Sequence, residues 1–233
     1  MRNLIKAALL LLFISLSIQS FPQFRVGVKA GLNLTNIRQN FTDSDYEWGT
    51  KPRALFSVGP CADIGFGRFL SLQPGLIFSA KGFGADVVDV WEASSGYDRY
   101  TIYYLEVPIH LAVKLKMFQV YTGPYLAVGL TGKNKWDMDF NGEKDSGIES
   151  IPLGSSWNSS TSDAYVAATR FDYGWDLGVG CKLGPILINT GLELGLANIT
   201  PDDTSDSSYD RSEWKISNIA GVFSVTYFFG RWR

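Results

Sequence analysis

The residue types that could do chemistry are few. The sequence has one histidine, His110, and two cysteines, Cys61 and Cys181. Nucleophilic hydrolysis or acyl transfer needs a base, commonly histidine, within reach of a serine and a carboxylate. His110 lies in YYLEVPIHLAVKLK (103–116), on the same alternating phase as Glu106 and Lys114. A satisfied interior histidine is favoured there over a catalytic one. A lone histidine and two separated cysteines also supply no metal-ligand cluster. An exported chain could join Cys61 to Cys181, but their phases disagree: Cys61 goes with polar Ser57 and Asp63, Cys181 with apolar Trp175, Leu177 and Val179. The oxygen-rich segments TPDDTSDSSYD (200–210) and KNKWDMDFNGEKD (133–145) could hold calcium loosely. Neither has the spacing of an EF-hand, and a hydrated acidic surface is the simpler reading. Trp48, Trp91, Trp136 and Trp157 stand among polar residues, where they would bind sugars or proteins or anchor at a membrane interface. No catalytic, cofactor-binding or metal residues are assigned, and the net charge of −2 suggests no nucleic-acid partner.

Residues 1–20 carry Arg2 and Lys6, the apolar run AALLLLFISLSI and small polar residues up to Ser20, the pattern of a secretory signal peptide cleaved near Ser20. The run is shorter than the roughly 20 apolar residues of a spanning helix. Residues 21–233 read as one domain.

Within that domain, stretches of strict alternation recur. Phe24, Val26, Val28, Ala30, Leu32 and Leu34 oppose Arg25, Gly27, Lys29, Gly31, Asn33 and Thr35. The same division appears near 54–66, 69–82, 103–115, 118–132, 169–183, 186–199 and 214–229, each stretch long enough for a tilted barrel strand. Only Gly67-Arg68, Lys116-Met117 and Gly184-Pro185 separate some of them, whereas 36–53, 83–99, 133–168 and 200–213 are long and polar. Short turns alternating with long loops predict an all-β, eight-stranded, antiparallel up-and-down transmembrane barrel, with the long connectors at the cell surface. The third loop is the expected interaction element.

A soluble ligand-carrying barrel is the structural rival, but it would hide its apolar set. Here the polar sets hold nearly balanced charges: Arg25, Lys29, Lys81, Lys114, Arg170 and Lys182 against Asp63, Glu106, Asp172, Asp176 and Glu193. In a barrel too narrow for a free channel these are expected to form a structural ion-pair network. Pro60, Pro74, Pro108 and Pro124 fall inside strands and imply bulges or gaps, grouped at two places if the prolines of each hairpin lie side by side.

The segments LQPGLIFSAKG (72–82), YYLEVPIHLAVKLK (103–116), VYTGPYLAVGL (120–130) and the terminal SVTYFFGRWR resemble the PorT-like outer-membrane β-barrel family of Bacteroidota, and VGVKAGLNLTNI (26–37) is similar to its first strand. The resemblance spans the domain outside its loops. It implies an outer-membrane barrel of about eight strands, and one member type supports protein secretion across the outer membrane. No functional residues are carried over. The expectation is a non-enzymatic integral outer-membrane protein in contact with outer-membrane lipids and lipopolysaccharide, supporting secretion or envelope assembly through its loops. A small outer-membrane pore and a lipid A-modifying enzyme are the alternatives.

Overall fold

The computed structural model describes residues 24–41, 49–89, 94–140, 142–157, 167–203 and 214–230. The expected signal peptide, Trp48, Trp91 and the acidic run 204–210 lie outside the described residues. The strands are β1 (Phe24–Phe41), β2 (Thr50–Phe66), β3 (Leu70–Pro74), β4 (Ile77–Asp89), β5 (Ser94–Leu115), β6 (Phe118–Phe140), β7 (Glu143–Ile151), β8 (Ser156–Trp157), β9 (Phe171–Leu183), β10 (Ile186–Gly195), β11 (Asp202–Asp203) and β12 (Trp214–Phe229).

Ten of these form one sheet, and antiparallel pairings β1–β2, β2–β3, β2–β4, β3–β5, β4–β5, β5–β6, β6–β9, β9–β10, β10–β12 and β12–β1 close it into a ring. β3 and β4 share one position and β7 pairs only with β6, so ten strands make an eight-stave barrel. The outer surface is apolar: Leu32 is 62 % exposed, Leu126 65 % and Phe171 67 %. Buried Asn, Ser, Thr, Asp, Glu and Lys fill the inside. This inverts the arrangement of a soluble ligand carrier and is what a hydrocarbon surround requires.

The three tight turns fall where expected. Left-handed backbone at Gly67, Lys116 and Gly184 makes them, although the first extends to Phe69. The long connectors differ from expectation. β5 has 22 residues and β6 has 23, against the roughly 9–11 that cross a bilayer. Strand pairing therefore continues well beyond the apolar band, and much of 36–53, 83–99 and 133–168 is sheet. The third connector is chiefly a hairpin of β6 and β7, turning at Gly142, whose N–H donates to Asp139 Oδ1 at 2.8 Å. Tyr97, Tyr100, Thr101 and Tyr103 explain the extension, since aromatic and β-branched residues favour pleated backbone whatever surrounds it.

Leu130 is an extra residue in β6: Tyr103 faces Thr131, but Tyr104 faces Gly129. Below this bulge the odd-numbered residues of β6 are buried, whereas above it Gly132 and Asn134 are buried.

The prolines lie on neighbouring staves. Leu76 N–H donates to the Pro60 carbonyl and Gly75 N–H to that of Pro108, at the break between β3 and β4. A second gap separates the Pro108–Tyr125 and Leu111–Thr122 pairs. Two disruptions exist, as expected, but Pro60 stands opposite Leu76 rather than Pro74. At the second gap the Thr122 hydroxyl donates to the Asp176 carbonyl and accepts from Trp175 Nε1 at 2.7 Å, so polar groups beside a missing ladder bond remain paired.

Gly123 faces this gap, and a Cβ there would overlap the Ile109 carbonyl oxygen. Gly123→Val should cost about 3 kcal/mol or more, because backbone rather than a side chain has to move. Loss of the compact, heat-sensitive band in unheated gel electrophoresis, with Gly221→Ala unaffected, is the expected result.

Candidate functional site

Alternation places one side chain in two inside each stave, and in so narrow a ring those side chains meet across the lumen. At the periplasmic end Asp63 is contacted by Arg25 and by Lys114 Nζ at 2.7 and 2.8 Å. Gln73 donates to Gln119 at 3.0 Å, and Gln119 to Asn189 at 3.1 Å, completing a layer that draws on β1, β2, β3, β5, β6 and β10. Above it His110 Nε2 lies 2.7 Å from Asp176 Oδ2, with its ring against Tyr121.

The next layer centres on Lys81, whose side chain is 1 % exposed. Its Nζ stands 2.9 Å from Glu106, 3.2 Å from Asp172 and 2.5 Å from Glu193, and 4.1 Å from the Tyr125 ring centroid. Asp172 also accepts from Tyr125 Oη at 3.2 Å and Asn218 Nδ2 at 2.9 Å. Groups from β5, β6, β9 and β10 thus converge on the ammonium of a β4 lysine, and Asn218 of β12 braces Asp172. A buried charge demands such partners.

Among the described residues, two cavities of about 20 and 30 Å³ adjoin His110. Each has room for a water or two and for no larger solute. Above Lys81, Ile102, Tyr104, Tyr125, Ala127, Ile151 and Ala168 form an apolar cluster across the mouth, while Ile37, Ile199 and Ile216 pack with Phe83 beside it. The segments 151–154 and 167–169 are tied over the mouth by hydrogen bonds from Ala168 to Pro152 and from Thr169 to Ile199.

The expected ion-pair network is therefore present, with corrections. Arg170 is exposed at the rim and contacts the Leu153 carbonyl, because it precedes the first residue of β9 and escapes the lumen. Lys29 faces both cavities and makes no ion pair among the described residues. Cys61 and Cys181 are free thiols. Among the described residues the carboxylates that converge as a metal set could are Glu106, Asp176 and Glu193 in the lumen, rather than the acidic loop segments, whose Asp137, Asp139 and Asp145 are spread along a hairpin. Trp136 lies against Gly147 on that hairpin.

Outside the membrane band the sheet carries perturbed groups of its own. Burial raises the Asp98 carboxyl above its ordinary value, a shift opposed by the hydrogen bond from Tyr100, whose hydroxyl is itself pushed up by burial and then by the nearby Asp98. Burial lowers Arg53, with Arg99 nearby adding to the effect, while its guanidinium donates to Tyr100 O at 2.9 Å and Thr101 Oγ1 at 2.5 Å.

The model of the outer membrane protein beta-barrel domain matches residues 19–201. The chain belongs to this family. The closed ring, the apolar exterior and the family together make it an outer-membrane protein. Two solved barrels are similar in fold. Ail, the attachment invasion locus protein of Yersinia pestis, solved with the heparin analogue sucrose octasulfate, is 10 % identical with a TM-score of 0.42, covering 89 % of this chain and 99 % of its own. Neisserial surface protein A is 11 % identical at the same TM-score of 0.42, covering 88 % of this chain and 97 % of its own. No curated protein matches by sequence.

In this barrel the Lys81 layer ties four staves together. Lys81→Met should destabilise the fold by about 3–5 kcal/mol, since three buried carboxylates lose their counter-charge. Adding Glu106→Gln and Glu193→Gln to that variant should recover most of the loss. Urea midpoints in detergent micelles measure both effects, and an unchanged midpoint for Lys81→Met would sink the assignment.

Proposed function

We propose that this outer-membrane barrel is a non-enzymatic, non-conducting member of the PorT-like type from Bacteroidota. Its signal peptide at residues 1–20 is removed on export, and its cell-surface sheet contacts secretion or envelope-assembly proteins. The observation that carries this reading is the stack of layers through the lumen: an ammonium 1 % exposed, held by three carboxylates from β5, β9 and β10, leaves its chemistry to the barrel's outside. The long β5–β6–β7 sheet supports an interaction role, because structure that extends beyond the bilayer has no part in spanning it.

A pore reading has to open the Lys81 layer, and cavities of about 20 and 30 Å³ disfavour it. A lipid-modifying enzyme has to bring an acyl chain to a base. His110 is 7 % exposed, packed against the tilted ring of Tyr121 and engaged with Asp176 inside the wall, which argues against access by lipid in the outer leaflet.

Quantitative proteomics of the surface and culture fluid of a deletion strain, beside its parent, tests the function. Selective loss of exported proteins is expected, with restoration by the His110→Ala variant. An unchanged secretome overturns the secretion role. Stepwise conductance of the purified protein in planar bilayers overturns the closed lumen.

A further inference from the structure

Outside the lumen, a cluster of basic side chains lies on the outward face of the sheet just above the apolar band. Backbone register sets Lys51 opposite Gly84, Gly84 opposite Arg99, and Arg99 opposite Lys135, so one row crosses four strands. One step nearer the membrane, Lys133 stands opposite Thr101, on which the Arg53 guanidinium rests. Two acids temper the patch, Asp86 at 2.5 Å from Lys51 and Asp137 at 3.3 Å from Arg99. Lys133 and Lys135 are exposed and make no ion pair among the described residues. The five basic groups thus outnumber the acids that touch them.

Directly beneath lies an aromatic edge of the lipid-facing surface. The Phe56 and Phe78 rings are 6.0 Å apart, and Phe78 stacks on Tyr103 at 5.7 Å. Leu130, 55 % exposed, is the last apolar residue of β6 on this side, and Lys133 follows three residues later. At about 3.3 Å per residue and a tilt near 45°, Lys133 sits about 7 Å above the hydrocarbon edge. That is the depth of the headgroup region, which adds about 5–7 Å to each side of the core.

We propose that Arg99, Lys133 and Lys135, above the Phe56–Phe78–Tyr103 edge, bind the phosphates of an acylated, phosphorylated glycolipid of the outer leaflet. Its acyl chains lie along the aromatic edge. The charge complements a phosphate, the depth fits a headgroup, and the apolar surface continues downward without a break, so an amphiphile fits where a soluble anion would use only the upper half. The proposal rests on the outer-membrane placement and stands apart from any role in secretion.

The test titrates bisphosphorylated lipid A, and the same lipid after phosphatase treatment, into the purified protein in neutral detergent, reading retained lipid by native mass spectrometry. Retention should require phosphate and should fall by at least about tenfold in the Arg99→Ala/Lys133→Ala/Lys135→Ala variant. Lys144→Ala, near the hairpin tip, should leave it unchanged. Heat-sensitive gel mobility checks folding. If the triple variant folds poorly, K133Q/K135Q, which keeps the Arg99–Asp137 pair, carries the test. Equal retention of dephosphorylated lipid, or by the folded variants, overturns the proposal. So does binding of a sulfated oligosaccharide without acyl chains as tightly as lipid A.

Discussion

A bilayer interior offers the backbone no hydrogen-bond partner, and every other feature of this protein follows from meeting that constraint. The decisive pairing joins the first strand to the last: Val26 to Phe229 at one end, on through Phe41 to Trp214 at the other. It removes the two edges that an open sheet would present to lipid. Even the imperfections obey the rule. Four prolines withhold ladder donors, yet the carbonyls of Pro60 and Pro108 accept from Leu76 and Gly75, and Thr122 serves both Trp175 and the Asp176 carbonyl.

Closure at eight staves then dictates the interior. A larger ring would leave water between its walls, and charges facing inward would be hydrated singly. Here the walls are close enough for one lysine to touch carboxylates on three other staves, so burial of each charge depends on the presence of the others. Such layers give little net stability over well-packed apolar ones, but they fix which staves face one another. A register slip of one residue would leave Lys81 among aliphatic side chains and lipid.

Much of this was legible in the sequence, because a lipid surround and a wet interior impose opposite chemistry on alternate residues. The eight strand positions, the three tight turns, the balanced lumen charges and the enclosed His110 all follow from that contrast. The upper sheet was less legible for the same reason. Once a strand leaves the hydrocarbon both faces meet water, the alternation of hydropathy fades, and β5 and β6 above Tyr103 and Leu130 read as polar loop. Partner identity within the lumen was also beyond reach: phase told that Lys81, Glu106, Asp172 and Glu193 point inward, but their common height depends on strand stagger, which no local pattern encodes. Arg170 was misplaced because phase alone does not say where a strand begins.

The bulge at Leu130 shows how one residue links these levels. In the lower part of β6 the odd-numbered positions point inward, as Tyr121, Tyr125 and Ala127 do. Continued without interruption, that phase would carry Lys133 and Lys135 over the mouth, above the Ile102–Tyr104–Tyr125 cluster, where no carboxylate layer waits for them. The extra residue reverses the phase just where β6 leaves the membrane. Asn134 turns inward and is buried, and the two lysines turn outward beside Arg99. The bulge therefore separates two solutions to the placing of charge in one strand. Below it, charge is neutralised inside the barrel by other staves; above it, Asp137 meets Arg99, while Lys133 and Lys135 are displayed outward at headgroup height with no carboxylate partner among the described residues.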